Sequence, residues 1–317
     1  MIFALRCLGV SLAFFLIFYC VLSFAITQSW KLVQRHAHWF ASRHAADVLF
    51  GMRILPVALA TLLCIVFVIP SFLMFEPRIS SEPVGEIPLA LGLGCSLLFI
   101  AGAYNAWVAY SRTARAVEGW LKDATELPTR AAVRIFEIRP EVPSLTLTGL
   151  SSPKVLVSSS AVALLGADEL NAALKHEIAH VRRRDNLKKL LFRVCIFPGM
   201  SQLEAAWSAA EEMAADDEAV TSTREALDLA AALIKLSRLA TVQPACALTT
   251  ALLQEGTSSV NARIERLVVW DASRRSLSRS TAEWYVRPAL LGSLVAVFMT
   301  YGIAIREVHT LTEWLVR

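Results

Sequence analysis

Four long apolar runs are separated by charged stretches. Ile2 to Ile26 carries only Arg6 as a charge, and Ile54 to Phe75 carries none, with Pro56 and Pro70 near its ends. Ile87 to Tyr110 is also uncharged and holds Gly92, Gly94 and Gly102 as candidate close-packing positions. Pro288 to Ile305 is shorter and again uncharged. Runs of this kind predict membrane-spanning helices, about four in all. The first run would also suit a signal peptide. Its weak basic start and the lack of a clear small-x-small cleavage site favour an uncleaved span.

Between the third and fourth runs the pattern changes. Val133 to Ile138, Leu145 to Thr148 and Val155 to Val157 are short β-rich stretches set off by Pro140, Pro143, Gly149 and Pro153, which predicts a small sheet. From Asp168 to Val194, Leu170, Ala173, Leu174, Ile178, Val181, Leu187 and Leu191 recur at helical spacing, with Asp168 as candidate cap. After a break at Pro198-Gly199 a second helix is expected over Ser201 to Val220, and further helices over Ala226 to Leu239 and Val260 to Trp270. Leu190 to Phe197, apolar but for Arg193, is too short to span; it reads as core or as a surface dipping into the membrane. The fold class is therefore a membrane α-helical protein with an inserted α+β domain. Its parts are spans over 1–110, the inserted domain over 111–285, and a last span with a short tail over 286–317.

Composition agrees with a mixed membrane and soluble chain. Of 317 residues 56% are hydrophobic, with a mean hydropathy of +0.52, yet 18% are charged. The net charge of +4 matters less than its distribution. The first loop holds Lys31, Arg35, Arg43 and Arg53 against Asp47, whereas the second holds Arg78 against Glu76, Glu82 and Glu86. The first loop and the segment up to about Arg287 are thus expected in the cytoplasm. Within the first loop, Trp30, Val33, Ala37, Phe40 and Ala41 against Lys31, Arg35, His38 and Arg43 suggest a helix at the membrane surface. That reading is preferred to a metal site at His36, His38 and His44. Ser273 to Ser280 reads as a basic linker. The six cysteines indicate neither a disulfide framework nor a zinc cluster, and there is no nucleic-acid module.

The chemistry is concentrated in His176-Glu177-Ile178-Ala179-His180. On a helix, histidines four apart lie one above the other and can reach one metal ion, with Glu177 beside them to take a proton from the attacking water. A pair of buried structural histidines is disfavoured, because a buried Glu between them is costly without a cation. A third ligand is expected from Glu211, Glu212, Asp216 and Asp217. Glu212 and Asp216 are four apart, so one can bind the ion while the other steadies a histidine. Glu211 is the rival, with Ala215 where its companion would stand. Arg182, Arg183, Arg184, Lys188, Lys189 and Arg193 form a basic cluster. It suits attraction to an anionic leaflet more than oxyanion stabilisation, and Asp185 can pair within it.

The runs HEIAHVRRRDN and EEMAADDEAV resemble the zinc-protease domain of the BlaR/MecR-type membrane metallopeptidases, with Ste-type prenyl-protein proteases as more distant relatives. The resemblance covers about Arg130 to Asp271 and the arrangement of spans. It implies one Zn²⁺ held by His176, His180 and Glu212, a general base at Glu177, and an assisting carboxylate at Asp216. It also implies a protein or peptide substrate, a substrate-pairing edge strand at Leu145 to Thr148 or Val155 to Val157, with internal sheet packing as the even alternative for these strands, and a bacterial inner membrane with the site on the cytoplasmic side. About a dozen residues follow Ile305, so the penicillin-binding sensor domain of such receptors is not expected; the trigger would be the membrane, the short outer loop or a separate sensor partner, and a homo-oligomer is a further candidate partner. The alternatives are a membrane signalling scaffold with an idle zinc site, which Glu177 argues against, and a prenyl-protein-type protease.

Overall fold

A computed structural model describes residues 2–33, 44–77, 85–127, 133–139, 145–150, 152–239, 248, 250–251, 257–270 and 301–314. The chain divides into two compact units, one of residues 1–32, 52–101 and 277–317, the other of residues 33–51 and 102–276.

Among the described residues, three helices are long and apolar enough to cross a membrane: Phe3–Leu32, Ala45–Phe75 and Glu86–Leu121. They correspond to α1 (Ile2–Val33), to α2 (Ala45–Leu63) and α3 (Ile69–Phe75) joined by a π turn over Cys64–Val68, and to α4 (Glu86–Leu121). In the first unit, Arg6 is offset by Glu76 at 2.8 Å. A Cβ on Gly92 would meet the Gly9 carbonyl at 3.2 Å, so α1 and α4 approach there through glycine. Gly94 makes only an ordinary contact with Leu16. The fourth apolar run lies mostly outside the described residues; 301–314 are helical. The surface-helix reading around 34–43, His36 and His38 included, and the Ser273 to Ser280 linker also fall outside them.

The second unit carries a five-stranded sheet in the order β1-β2-β4-β3-β5. The strands are β1 (Thr125–Leu127), β2 (Arg134–Ile138), β3 (Leu145–Thr148), β4 (Lys154–Ser158) and β5 (Thr250–Ala251). β2 and β4 are parallel, and the other neighbours are antiparallel. This corrects the edge-strand expectation. Val155 to Val157 lies in the central strand, and the outer edge of β3 is paired with β5 through Thr146↔Ala251 and Leu147↔Thr250. A sequence pattern shows which stretches are extended but not their order across a sheet.

Against the sheet lie α5 (Ser159–Leu164) and α6 (Ala167–Arg183), followed by α7 (Asp185–Val194), α8 (Ser201–Ala219), α9 (Thr223–Leu239) and α10 (Thr257–Val268). The core joins Val155 and Val157 of the sheet to Ala172 and Ala173 of α6 and to Leu229, Leu233 and Leu236 of α9. Alanines on α6 let it pack closely against both layers. Gly166, not Asp168, caps α6: its N–H donates to Glu169 Oε2 at 2.8 Å. Asp168 sits in the first turn, where its charge suits the helix dipole and pairs with Arg224 at 2.8 Å.

The run from Asp168 to Val194 is two helices rather than one. Arg184 adopts the left-handed conformation (φ 55°, ψ 39°) that ends α6 and starts α7. Such a backbone costs a non-glycine residue about 1–2 kcal/mol. The turn brings Asp185 back against the preceding helix, where its carboxylate reaches His180.

The candidate metallopeptidase site

α6 buries one face consisting of Ala172, Ala173, His176, Glu177, Ala179 and His180. The two histidines and Glu177 are at most 1% exposed. α8 crosses this face and contributes Glu212 and Asp216, and α10 contributes Arg263; all three are similarly buried.

The two imidazole Nε2 atoms are 3.1 Å apart. Glu212 faces both, Oε2 at 3.4 Å from His176 and Oε1 at 3.6 Å from His180. On their other nitrogens, His176 Nδ1 lies 2.9 Å from Asp216 Oδ1 and His180 Nδ1 lies 2.8 Å from Asp185 Oδ2. In the tautomer that carries its proton beside the carboxylate, each Nε2 keeps a lone pair that a metal ion can take. Both Nε2 atoms and the Glu212 carboxylate face one another. One ligand atom from each of His176, His180 and Glu212 lies within 4.8 Å of the others, a donor set and spread that fit a single zinc ion. Asp216 and Asp185 stand where groups that orient metal-bound histidines are found.

Glu211, the rival ligand, lies 2.9 Å from Lys189 Nζ and forms a second group with His180 and Asp185. Lys188, 3.2 Å from Asp185, and Lys189 already balance that group, so it does not call for a further cation. Asp185 does pair with the basic cluster, as expected, and its contact with the histidine is the addition.

Arg263 was legible in the sequence only as a polar position on the last helix of the domain. In the structure it donates from Nε to Asp216 Oδ2 at 2.8 Å and from Nη2 to Asp216 Oδ1 at 2.7 Å, while Nη1 lies 2.8 Å from Glu212 Oε2. One guanidinium thus links the two carboxylates that face the histidines. A buried arginine about fifty residues from its partners leaves no local spacing signal.

Titration follows from these contacts. Burial pushes the Glu177 carboxyl up to about 8, and neither of its oxygens has a hydrogen-bond partner. Burial likewise raises Glu211 to about 8, against the pull of Lys189. For Glu212 burial is outweighed by Arg263, which holds it down to about 2, and Asp216 is held well below the usual carboxylate range by the same guanidinium. Burial lowers His180. His176 is raised to about 9, because its bonds to Asp216 and Glu212 outweigh burial: without a metal, a proton there supplies the positive charge.

Glu177, Glu211 and His176 hold protons more tightly folded than unfolded. Their stabilisation is therefore complete below their unfolded values and lost as the pH rises through about 8, 8 and 9. Glu212 and Asp216 act oppositely and lose theirs only in strong acid, and His180 adds stability as the pH rises toward 6.5. The metal-free protein is expected to lose thermal stability from about pH 4.5 to 9, most steeply between about 6.5 and 8, and zinc to flatten that decline. Melting curves with chelator and with zinc across this range test it; an equally steep fall in zinc would contradict the assignment of charge at the site.

A helix bearing two histidines four apart with a glutamate between them, facing a second helix that supplies a carboxylate, is the arrangement of an HExxH metallopeptidase. Residues 146–285 match the sequence model of peptidase family M48, so this part of the chain is similar to metallopeptidases of that family. The matched segment begins in β3 and contains all of α6 to α10. No curated protein matches the chain.

Proposed function

We propose that this chain is an integral membrane zinc endopeptidase whose active site faces the cytoplasm, with His176, His180 and Glu212 as metal ligands. The observation that carries the reading is the convergence of both Nε2 atoms and the Glu212 carboxylate beside a buried Glu177 that has no partner. Zinc bound there would supply a Lewis acid that acidifies water and polarises the scissile carbonyl.

The protein's own groups do the rest. Glu177 accepts the proton of the attacking water and returns it to the leaving amine. Its upward shift makes the carboxylate a stronger base toward water, and the proton so gained is the one it passes to the amine. Asp216 and Asp185 fix the ring orientation of His176 and His180, and Arg263 holds Glu212 and Asp216 ionised and in place. The reacting groups are buried, and a cavity of about 380 Å³ lined by Leu147, Gly149, His180, Asp185 and Leu187 lies beside them. A cytosolic repressor-like protein is the substrate that the receptor-type resemblance suggests. The basic first loop supports the cytoplasmic orientation.

The test is metal content and proteolysis of an unfolded protein by the purified, membrane-reconstituted chain. About one zinc per chain is expected. Chelation should abolish cleavage and stoichiometric zinc should restore it. Full activity after complete removal of metal would refute the reading.

A further inference from the structure

α7 has two unlike sides. Asp185, Asn186 and Phe192 are buried, whereas Leu187, Leu191 and Val194 are 40%, 37% and 39% exposed and fall on one stripe at i, i+4 and i+7. An apolar stripe of that kind on a domain surface calls for an occupant.

The position of α7 identifies it. Where α6 gives way to α7, Arg183 at the end of α6 and Lys188 in α7 lie 3.2 Å and 3.5 Å from Asp47, the acid in the first turn of α2. Three residues further along α2, Phe50 packs its ring 5.7 Å from Phe192, which also meets Trp207 edge-on at 4.8 Å. At the last turn, the backbone of Val194 lies directly on α4: a Cβ on Gly102 would clash with the Val194 carbonyl. Only glycine permits that approach.

Gly102 is well inside the apolar part of α4. It precedes Tyr110, the last residue of the uncharged run, by eight positions, or about 12 Å along a helix. Tyr104, Trp107 and Tyr110 are all exposed on this stretch and have the character of an interfacial aromatic belt. α7 therefore starts level with a charged residue at one helix entrance and ends beside residues that face hydrocarbon. The chain continues through Cys195, Ile196, Phe197 and Pro198 before returning as α8.

We propose that α7 and the turn after it form a re-entrant wedge in the membrane leaflet, with Leu187, Leu191 and Val194 against acyl chains. The occupant of the stripe is the bilayer itself, continuous with the lipid-facing surface of α4. Arg184, exposed at the head of α7, meets anionic headgroups directly, and exposed Arg193 reaches them by extending its side chain along the helix. Because α7 begins one residue after α6 ends and Asp185 is bonded to His180, the wedge holds the catalytic helix at the membrane surface. A peptide bond close to the leaflet would then be the one presented to the site. The lipid contact itself does not depend on the peptidase reading.

Photo-cross-linking tests this. The full-length chain carries p-benzoylphenylalanine at Leu191, at Val194 or at Leu227, and is reconstituted in vesicles of phosphatidylcholine and radiolabelled phosphatidylglycerol. Leu227 is 47% exposed on α9, which packs on α6 and α10, and serves as the control. Positions 191 and 194 are expected to give lipid adducts several-fold more abundant than position 227. A melting transition equal to that of the unsubstituted chain shows that each variant is folded, and the two sites back each other up. Lipid labelling no greater than at position 227, or adducts joining two copies of the chain, would overturn the proposal.

Discussion

Replacing Glu177 with Gln is expected to cut proteolysis by about 10²–10⁴-fold while leaving bound zinc unchanged. The amide keeps the shape of the side chain but cannot accept the proton of water, and none of the close contacts among His176, His180 and Glu212 passes through it. The same substitution has a second, independent consequence. Glu177 is fully buried, has no hydrogen-bond partner and is pushed up to about 8, so its ionisation costs stability as the pH rises through that value. The metal-free Gln variant is expected to melt at a higher temperature than wild type at pH 9 and to differ less at pH 6. Zinc analysis, peptide cleavage rates and melting curves on one preparation separate the two effects. A variant that cleaves at the wild-type rate would remove Glu177 from the chemistry, whatever its effect on stability.

Arg263→Met is expected to be the most damaging single change outside the ligands. It leaves Glu212 and Asp216 as buried carboxylates without their shared cation, and breaking such a pair costs about 3–5 kcal/mol. That corresponds to a melting shift on the order of 10 °C for a domain of this size. Two signatures distinguish this from loss of packing. Saturating zinc should recover part of the loss, because the ion replaces some of the missing positive charge. Combining Arg263→Met with Asp216→Asn should cost clearly less than the sum of the two single changes, because the double variant no longer buries an unpaired Asp216 charge. Additive losses that are insensitive to zinc would reduce Arg263 to a structural residue.

The resemblance drawn from the sequence and the family match agree on metallopeptidase chemistry. The match falls on residues 146–285, where the two motifs lie. Within that segment the local signals were clear. His176, Glu177 and His180 are set by spacing on one helix, and Glu212 and Asp216 share the next long helix with the same four-residue separation. Where a site is built from i and i+4 neighbours, periodicity alone brings the groups to one face. Three apolar runs were equally plain, because length and lack of charge are what a hydrocarbon slab demands of a helix.

Other features depended on chain segments that meet only after folding. Arg184 broke an otherwise continuous helical pattern through its backbone conformation, and no residue preference at that position announces a left-handed turn. Asp185 became a histidine partner because of that turn. Arg263 entered the site from a helix far along the chain, and the order of the strands, with β4 central and β5 on the edge of β3, rests on pairings distant in sequence. The same holds for Gly102, a close-packing position whose partner turned out to be the carbonyl of Val194. The candidate ligand set, the helix faces and three of the apolar helices thus follow from local periodicity and composition. The charge balance of the site and the docking of α7 on α4 arise only from tertiary packing, because they join groups whose proximity no local spacing encodes.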